Sequence, residues 1–329
     1  MKILFLCKNT SEANAWYRSS GIATNLEKLS GHDIDVVNWQ DIQPIMWDRI
    51  IRYDIIMVQR PFTSEDLALC RYIKECGVKL WIDHDDNLLD LNPENKYYNL
   101  YNRQEIKANI INIIKIADVL TVTTRYLKAA YKKYSKNIIV IPNAFNDDVI
   151  KRKLQIERKN VVFWRGADSH LYNLLSYGAG MNKAIENFPG WDFYFMGYYP
   201  WMLSDKKLYI EPQDIIIYFK TIAKISPSVV HVPLFPDNFN VCRSNISVIE
   251  GAYAGAVCIV PEFWLYKGDE KVPGTISYSN SDSYYEAIRS CCNGEVDIAK
   301  GNNETWEYIM DNLLLSKVNK LRANLIKNL

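Results

Sequence analysis

The sequence lacks several motifs that would indicate a function directly. It contains no Walker loop of the form G-x-x-x-x-G-K-[S/T]. The glycines of YGAGMNKA (177–184) follow no strand-like run and lack the third glycine of a dinucleotide fingerprint. The four histidines are scattered and show no zinc-ligand spacing. These absences disfavour an ATPase or kinase of the Walker type, a nicotinamide-dependent dehydrogenase and a zinc protein.

Excess charge and long apolar runs are also missing. The chain of 329 residues has a net charge of +1, so no overall basic field favours nucleic-acid binding, although a local basic groove is compatible with that sum. No apolar run approaches the roughly 18 residues of a membrane span. The first residues, MKILFLCKNT, have too short an apolar core for a signal peptide. We therefore expect no membrane span and a cytoplasmic location.

Cysteine usage gives no sign of a disulfide framework. There are seven cysteines, an odd number, and none forms a CxxC pair. Cys7, Cys242 and Cys258 lie in apolar runs, where cysteine behaves as a small buried hydrophobe. The adjacent Cys291 and Cys292 are either redox-active or ordinary thiols. We interpret all seven as reduced thiols of a cytosolic protein.

The sequence does contain a regular alternation of short apolar runs and longer helical patterns. Such alternation predicts parallel sheets with crossover helices. A charged stretch at 151–160 resembles a linker, after which the alternation starts again. We therefore predict two tandem Rossmann-like doubly wound α/β domains, 1–150 and 151–304, and a C-terminal helix within 305–329 that crosses back to the first domain. Strand-like runs occur at 2–7, 33–39, 53–59, 78–83, 119–124, 137–143, 161–170, 191–197, 207–212, 228–234, 256–262 and 275–279.

The segment 233–262 is the richest in chemistry. Ligands of such sheets bind beyond the carboxyl ends of the strands, and two facing domains make the cleft between them the expected site. Here a strand end leads into a loop with Phe239 and Asn240, and a helix is expected to begin near Arg243 or Ser244. A helix start and an arginine both favour phosphate. Glu250 either accepts hydrogen bonds from a ribose diol or is a surface glutamate on a capped helix.

This segment resembles the nucleotide-sugar-binding helix of GT-B fold glycosyltransferases. The similarity is to a retaining, family 4-like subgroup from bacteria and bacteriophages that reads roughly F-N-x-x-K-S-x-x-K-x-x-E-x-x-A-x-G. It implies that Arg243 replaces the lysine that meets the diphosphate and that Glu250 holds the donor ribose. It also implies that Ser244 and Asn245 face phosphate at the helix start. Many retaining members carry another glutamate eight positions earlier, where this sequence has Cys242.

Two more loops are similar to the same subgroup. FWRGADSH (163–170) looks like the loop that opens the C-terminal domain, which implies Arg165 and Gly166 at the diphosphate. His170 would then start the next helix, or serve as a capping or interdomain histidine. AWYRSSG (15–21) looks like the first loop, with Tyr17 and Arg18 ahead of the first helix. Arg18 would face donor phosphate or acceptor, or would be a solvated arginine at a helix start.

The stretch WIDHDDNLLDL (81–91) concentrates acidic residues after a strand. Its D-x-D triplet, Asp83-His84-Asp85, is of the type that holds a divalent cation in GT-A glycosyltransferases. Arginines such as Arg165 and Arg243 neutralise a diphosphate without metal, and tandem domains favour this alternative. We therefore expect no metal and no other cofactor.

The same stretch is similar to a D-x-D-D-N/D-L loop of the GT-B subgroup. Related retaining enzymes place a histidine of this loop near the anomeric carbon, a role that His84 would have here. Strand alternation puts Asp83 and Asp85 on one face and His84 on the other. We expect Asp85 or Asp86 to contact the acceptor hydroxyl or the transferred sugar. The alternative is that Asp86 and Asn87 only cap a short helix.

The resemblance as a whole implies a glycosyltransferase that moves a sugar from a nucleotide diphosphate sugar to a hydroxyl, with retention of configuration. The first domain would bind the acceptor and the second the donor. Glycan, protein, small molecule and hydroxylated DNA base all stay open as acceptors. DNA would need a basic groove, and a patch at Lys128, Lys132, Lys133 and Lys136 is either that groove or a solvated helix face. A non-catalytic nucleotide-sugar-binding protein and a nucleotide-sugar epimerase are the alternatives, and no pattern indicates an oligomeric state.

Overall fold

Two parallel sheets organise the chain. The structure is a computed structural model that describes residues 1–42, 47–152, 157–263 and 271–329. The strands of the first sheet are β1 (Lys2–Cys7), β2 (Asp33–Asn38), β3 (Ile55–Gln59), β4 (Lys79–His84), β5 (Val119–Val122) and β6 (Ile138–Val140). They lie in the order β2-β1-β3-β4-β5-β6, all parallel. Apolar side chains on both faces of these strands explain why helices cover the sheet on both sides.

The helices of the first half are α1 (Ala13–Arg18), α2 (Ala23–Ser30), α3 (Trp47–Ile50), α4 (Ser64–Glu75), α5 (Tyr98–Tyr101), α6 (Gln104–Ile116) and α7 (Arg125–Tyr131). Two of them begin at side-chain caps. Thr63 and Asp66 form a capping box at α4, and the Thr124 hydroxyl accepts from the backbone N–H of Leu127 at α7. These caps satisfy amides that the helix itself leaves unpaired.

The second half repeats the plan. Its strands are β7 (Lys159–Arg165), β8 (Asp192–Met196), β9 (Leu208–Ile210), β10 (Pro227–His231), β11 (Val257–Pro261) and β12 (Ile276–Tyr278), in the order β12-β11-β10-β7-β8-β9. Its helices are α8 (Leu171–Asn187), α9 (Ile215–Ile225), α10 (Asn238–Val241), α11 (Ile246–Ala254), α12 (Ser281–Cys292) and α13 (Ile298–Asn312). The predicted pair of Rossmann-like α/β domains is confirmed, and every predicted strand run overlaps a strand. Residues 153–156 of the expected linker lie outside the described residues.

The C-terminal helical pattern at 305–325 differs from the single predicted helix. The structure divides it into α13, which packs against α11 and β11, and α14 (Leu315–Lys327), which packs on α2 of the first domain. Between them the Leu313 carbonyl accepts from the Phe145 N–H at 2.8 Å, and the Leu315 N–H donates to the Phe145 carbonyl at 2.9 Å. These bonds to a distant segment replace the helical ones. The chain thus returns to the first domain through α14, as expected.

Direct hydrogen bonds join the two domains. The Thr124 hydroxyl donates to the Cys242 carbonyl at 3.0 Å, and the Asn143 amide donates to Ser244 Oγ at 2.9 Å. Asn92 donates to Asp237 at 2.9 Å farther along the same junction. The carboxyl edges of the two sheets therefore face each other. None of the helices that the structure describes combines the length and apolarity that crossing a bilayer requires.

Candidate functional site

A cavity of about 640 Å³ lies between the two domains. This volume falls in the range of small-molecule sites, roughly 300–1,000 Å³. Loops at the carboxyl ends of β1, β3 and β4 form one wall, and loops after β7 and β10 with the start of α11 form the other. Residues predicted for the site that line this cavity are Asp86, Arg165, Gly166, His170, Arg243, Ser244 and Glu250.

Glu250 is the centre of a hydrogen-bonded cluster on the second domain's wall. Arg165 donates from Nη2 to its Oε1 at 2.7 Å and from Nε to its Oε2 at 3.2 Å. Tyr218 donates to Oε2 at 2.9 Å, and Tyr17 reaches across from the first domain to donate to Oε1 at 3.0 Å. The Glu250 side chain is almost fully buried, while that of Arg165 is 29% exposed toward the cavity. A guanidinium, whose fork geometry suits phosphate, and a carboxylate are thus adjacent on the cavity wall.

Burial and charge reinforce each other in this cluster. Burial opposes the positive charge of Arg165, but Glu250 outweighs it and raises the pKa of the guanidinium above its usual value. Burial, followed by the charge of Glu250, raises the pKa of Tyr17 and of Tyr218 well above 10.0. Both phenols are therefore neutral donors at physiological pH. Tyr17 lies inside α1 rather than ahead of the first helix, and this position lets it reach the second domain.

Close backbone packing shapes the loop after β7. A Cβ built on Gly166 would lie 2.4 Å from the Trp164 ring, and one built on Gly197 would lie 2.6 Å from the Gly166 carbonyl. Gly197 also has a φ of +94°, a conformation that glycine adopts at little cost. Glycine at 197 therefore allows the loop after β8 to approach the loop after β7, and glycine at 166 leaves room for the Trp164 ring. This packing fixes the backbone beside Arg165.

The expected helix start lies slightly later than the sequence suggests. Phe239 and Asn240, predicted in a loop, belong to the short α10, and α11 begins at Ile246 with Asn245 at its N-cap position. Arg243 and Ser244 precede the helix and line the cavity, with the Arg243 guanidinium 5.5 Å from the Phe239 ring centre. Asn245 makes no side-chain cap hydrogen bond and lies outside the cavity lining that the described residues form.

His170 lies at the cavity in the 3₁₀ turn Asp168–His170. Burial, with smaller contributions from the positive charges of Arg243 and Arg165, lowers its pKa well below 6.5. The imidazole is therefore neutral at physiological pH. Its Nδ1 lies 3.3 Å from the Asn173 amide, and its ring packs edge-on to Trp164. His170 can offer a neutral hydrogen bond to a ligand but no positive charge.

Arg18 and Asp83 form a bidentate ion pair inside the first domain. Arg18 Nε lies 2.9 Å from Asp83 Oδ1 and Nη2 lies 2.6 Å from Oδ2, and both side chains are at most 3% exposed. Arg18 also donates to the Ile141 carbonyl and to Asn143, and Thr121 donates to Asp83. The structure therefore places Arg18 and Asp83 in the domain interior and not at the cavity where Arg18 was expected. Burial alone would raise the pKa of Asp83, but Arg18 holds it below its ordinary value.

His84, on the opposite face of β4, is completely buried. Its ring lies 5.5 Å from that of Tyr131, and within the described residues neither ring nitrogen has a hydrogen-bond partner. Burial lowers its pKa to about 4. The alternation expected for Asp83 and His84 is present, but it directs His84 into the core, away from any anomeric carbon in the cavity.

Asp85 and Asp86 both pair with Arg60 from the end of β3. Arg60 Nε donates to Asp85 and Nη2 donates to Asp86. Asp85 is 7% exposed and lies behind the cavity, whereas Asp86 is 18% exposed and lines it. Of the acidic cluster, Asp86 is thus the carboxylate that a ligand can reach.

Asn240 and Cys242, in the segment between β10 and α11, lie in structural surroundings and not on the cavity wall. The Asn240 side chain is fully buried and donates to Tyr172, Asn173 and the Phe235 carbonyl, so it holds the loop before α11 in shape. Cys242, at the position where the resembling subgroup often has a glutamate, is 3% exposed and packs against the core of the first domain. Burial raises its pKa to about 12. This position therefore supplies no carboxylate.

The D-x-D carboxylates do not converge. Asp83 pairs with Arg18 and Asp85 pairs with Arg60, on different sides of the loop. Across 1–42, 47–152, 157–263 and 271–329, no three His, Cys, Asp or Glu side chains cluster in a way that could hold a metal ion.

Several cavity residues were missed in the sequence. Arg60 lies directly after β3 and before Pro61, in a stretch that carries no recognised motif. Tyr218 lies on α9, in a helical pattern that carries no motif. Lys8, at the end of β1, also lines the cavity, where it pairs with Asp66 at 2.6 Å. No local signal marked Tyr218 or Lys8, since their roles depend on partners far away in sequence.

These two facing domains and the cleft between them define the GT-B fold. No protein-family model matches the chain, and no curated protein matches it. Among solved structures, an α-glucosyltransferase in complex with UDP and a 13-mer DNA containing an HMU base is 11% identical with a TM-score of 0.68, covering 99% of each chain. Sucrose-phosphate synthase from Thermosynechococcus elongatus is 11% identical with a TM-score of 0.71, covering 99% of this chain and 98% of its own. UDP-GlcNAc 2-epimerase from Neisseria meningitidis bound to UDP-GlcNAc is 11% identical with a TM-score of 0.56, covering both chains completely. At this identity the likeness establishes the fold.

Proposed function

We propose that this protein is a glycosyltransferase that moves a sugar from a nucleotide diphosphate sugar to an acceptor hydroxyl. The observation that carries the proposal is the convergence of Arg165, Arg243 and Glu250 on one interdomain cavity. In this proposal the arginines stabilise the negative charge that develops on the departing diphosphate. Glu250 accepts hydrogen bonds from the ribose hydroxyls, which replace the hydrogen bonds that Tyr17 and Tyr218 donate to it in the structure. Closure of both domains around the substrates orients the acceptor and excludes water.

A thermal-shift screen with UDP, UDP-glucose, UDP-GlcNAc and other nucleoside diphosphates tests this proposal. Ligands that bind the folded state raise the melting temperature by mass action, so the true donor should give the largest shift. Running each ligand with and without EDTA tests the expectation that no metal is needed. Absence of stabilisation by every nucleotide would refute the proposal.

Glu250→Gln tests the ribose assignment. It keeps the side-chain shape and removes the charge, so loss of a charged hydrogen bond of about 1.5–3 kcal/mol should weaken UDP binding roughly 10- to 150-fold. Glu307→Gln, an exposed glutamate on α13, is the matched control and should bind UDP like the wild type. Equal UDP affinity in Glu250→Gln and wild type would contradict the role of Glu250.

A nucleotide-sugar epimerase is the second candidate. The epimerase from Neisseria meningitidis, bound to UDP-GlcNAc, shares this fold over its whole length. Product analysis separates the two activities, because an epimerase changes the free nucleotide sugar without an acceptor. A non-catalytic sensor would bind nucleotide sugar and give neither product.

For the acceptor we propose a hydroxylated DNA base as the first candidate. The α-glucosyltransferase with the same fold was solved with DNA containing an HMU base. Five exposed basic residues lie on the first domain directly after Thr124, which contacts the second domain. The sequence contains no acidic residue between Asp118 and Asp147. The five basic residues are Arg125, Lys128, Lys132, Lys133 and Lys136, and such a strip suits a phosphate backbone. Incubation with labelled UDP-glucose and duplex DNA with or without the hydroxymethylated base tests this, with glycan and protein acceptors as parallel reactions.

Retention of the anomeric configuration, which the sequence resemblance implies, is part of the proposal. NMR of the anomeric proton in the first product distinguishes retention from inversion. An inverted product would leave the transfer reaction standing and overturn the retaining assignment.

A further inference from the structure

Arg60 has a backbone conformation that arginine rarely adopts. Its φ is +51°, and it is one of two non-glycine residues with positive φ in the described ranges. Its N–H donates to the Asp83 carbonyl at 2.9 Å, and the next residue is Pro61. Left-handed backbone of this kind persists only where the surroundings hold it, and it is concentrated at functional sites. The strain directs the side chain of Arg60 from the strand end toward the cavity and the acidic loop.

The guanidinium of Arg60 divides its contacts between two neighbouring carboxylates. Nε donates to Asp85 and Nη2 to Asp86. The backbone of the same loop is fixed separately, since Thr123 donates to the Asp85 carbonyl at 3.1 Å and Tyr131 to the Asp86 carbonyl at 3.0 Å. The direction of the Asp86 carboxylate into the cavity thus depends on Arg60.

Arg60 is the shared counter-charge of two neighbouring carboxylates, Asp85 and Asp86. Burial raises the pKa of Asp85, and the positive charge of Arg60 acts in the opposite direction. Burial opposes the charge of Arg60, but Asp85 and Asp86 together raise its pKa above the usual value. Without Arg60, two adjacent carboxylates would share a buried position, and like charges that close favour keeping one proton.

We propose that Arg60 is a positioning residue that holds the Asp86 carboxylate directed into the cavity, where Asp86 accepts a hydrogen bond from the acceptor hydroxyl. This inference rests on the proposed glycosyltransferase function. It assigns Arg60 to the acceptor side of the reaction, since its described partners belong to the first domain and none of them is Arg165, Arg243 or Glu250. Loss of Arg60 should therefore affect turnover more than donor binding.

Arg60→Gln tests the proposal in the full-length chain with two measurements. UDP binding is followed by thermal shift, and UDP release from UDP-glucose is followed with water in place of the acceptor hydroxyl. We expect unchanged UDP binding and an unchanged KM for UDP-glucose, with kcat at least 10-fold lower. Arg60→Lys should recover only part of the rate, because one ammonium group cannot reproduce the planar fork. Arg71→Gln, an exposed arginine on α4, is the control and should match the wild type.

The pH profile separates positioning from a general loss of structure. In Arg60→Gln the acid limb of kcat should move to higher pH, because Asp85 loses the positive charge that opposes the rise of its pKa. Besides Arg60, the titratable groups that interact with Asp85 or Asp86 are Asp83, His84, Tyr101, Tyr131 and Cys242. His84 has a pKa of about 4 and would itself contribute to an acid limb. If the carboxylates cause the shift, it should persist in a His84→Phe background.

Arg60→Gly is a second variant that keeps the test valid if Arg60→Gln fails to fold. Glycine adopts the left-handed conformation easily and lacks the guanidinium, so this variant should fold and show the same loss of kcat. Wild-type kcat and pH profile in either Arg60→Gln or Arg60→Gly would overturn the proposal for Arg60 alone. A wild-type protein that no nucleoside diphosphate stabilises, and that releases none from its nucleotide sugar, would instead overturn the proposed function.

Discussion

Replacement of Asp83 by asparagine should destabilise the first domain strongly. The carboxylate accepts from Arg18 at 2.9 and 2.6 Å and from Thr121, and it is 2% exposed. Asp83→Asn leaves the positive charge of Arg18 buried without its counter-ion. A second buried arginine, Arg322, already experiences that charge, since burial and Arg18 lower its pKa to about 9. The substitution therefore leaves two cations close together in a dry interior.

The magnitude follows from measurements on buried ion pairs. Removal of one partner costs about 3–5 kcal/mol, a large part of the roughly 5–15 kcal/mol that stabilises a typical domain. At about 2–4 °C per kcal/mol, the melting temperature should fall by on the order of 10 °C. Asp282→Asn, an exposed residue in the first turn of α12, is the matched control and should stay within about 0.5 kcal/mol of the wild type.

The pH dependence gives a second measure of the same pair. Arg18 holds the pKa of Asp83 below its ordinary value. The contribution of the Asp83 carboxylate to the free energy of unfolding is therefore complete above the unfolded pKa of about 3.9, and it is lost as pH falls through the lower folded pKa. Urea denaturation of wild type and Asp83→Asn should thus give a constant difference from pH 5 to 8. A difference below about 1 kcal/mol, or stabilisation of the wild type by Mn²⁺ that the variant lacks, would refute the ion-pair interpretation.

Other predictions concern the junction and the core. Tyr17→Phe removes the hydrogen bond to Glu250 but leaves that carboxylate its bonds to Arg165 and Tyr218, so denaturation should show a loss of about 1 kcal/mol; no loss would show that this interdomain bond contributes nothing. Burial holds His84 neutral, because it lowers the pKa of the imidazole from 6.5 to about 4 in the folded protein. The folded state therefore has its full stability above pH 6.5 and loses stability as pH falls toward 4, where the unfolded chain takes up the proton more readily. Between pH 6.5 and 5 this amounts to about 2 kcal/mol, and stability measured in His84→Phe should vary less with pH by that amount; an identical slope in variant and wild type would contradict it.

The fold was predictable because its signals are local. Apolar runs of strand length and the helical patterns between them depend on neighbouring residues, and they identified both sheets. The break between α13 and α14 was not predictable in this way, since 305–325 contains no proline or glycine. Hydrogen bonds of Leu313 and Leu315 to Phe145, far away in sequence, end one helix and start the next.

The site was predictable only in part. Arg165 ends β7 and Arg243 lies just before α11, and the rule that ligands bind at carboxyl edges locates such residues, whereas Glu250, inside α11, was located by the resemblance of its segment. Whether a charged side chain at a strand end faces a cavity or a buried partner depends on packing that no local pattern encodes. Arg18 pairs with Asp83 in the domain interior, whereas Arg60, which no motif marks, lies at the cavity.

The hydrogen-bonded contact between Phe145 and Leu314 has a mechanical consequence. Two separate stretches of backbone pass between the domains, and at this point they are joined to each other side by side. A single connecting strand can swivel, but a pair of joined strands resists torsion and bends about one axis. Relative motion of the domains should therefore be a hinge rotation about a single axis near Phe145. The rim of the cleft farthest from Phe145 would then move farthest and open the cavity.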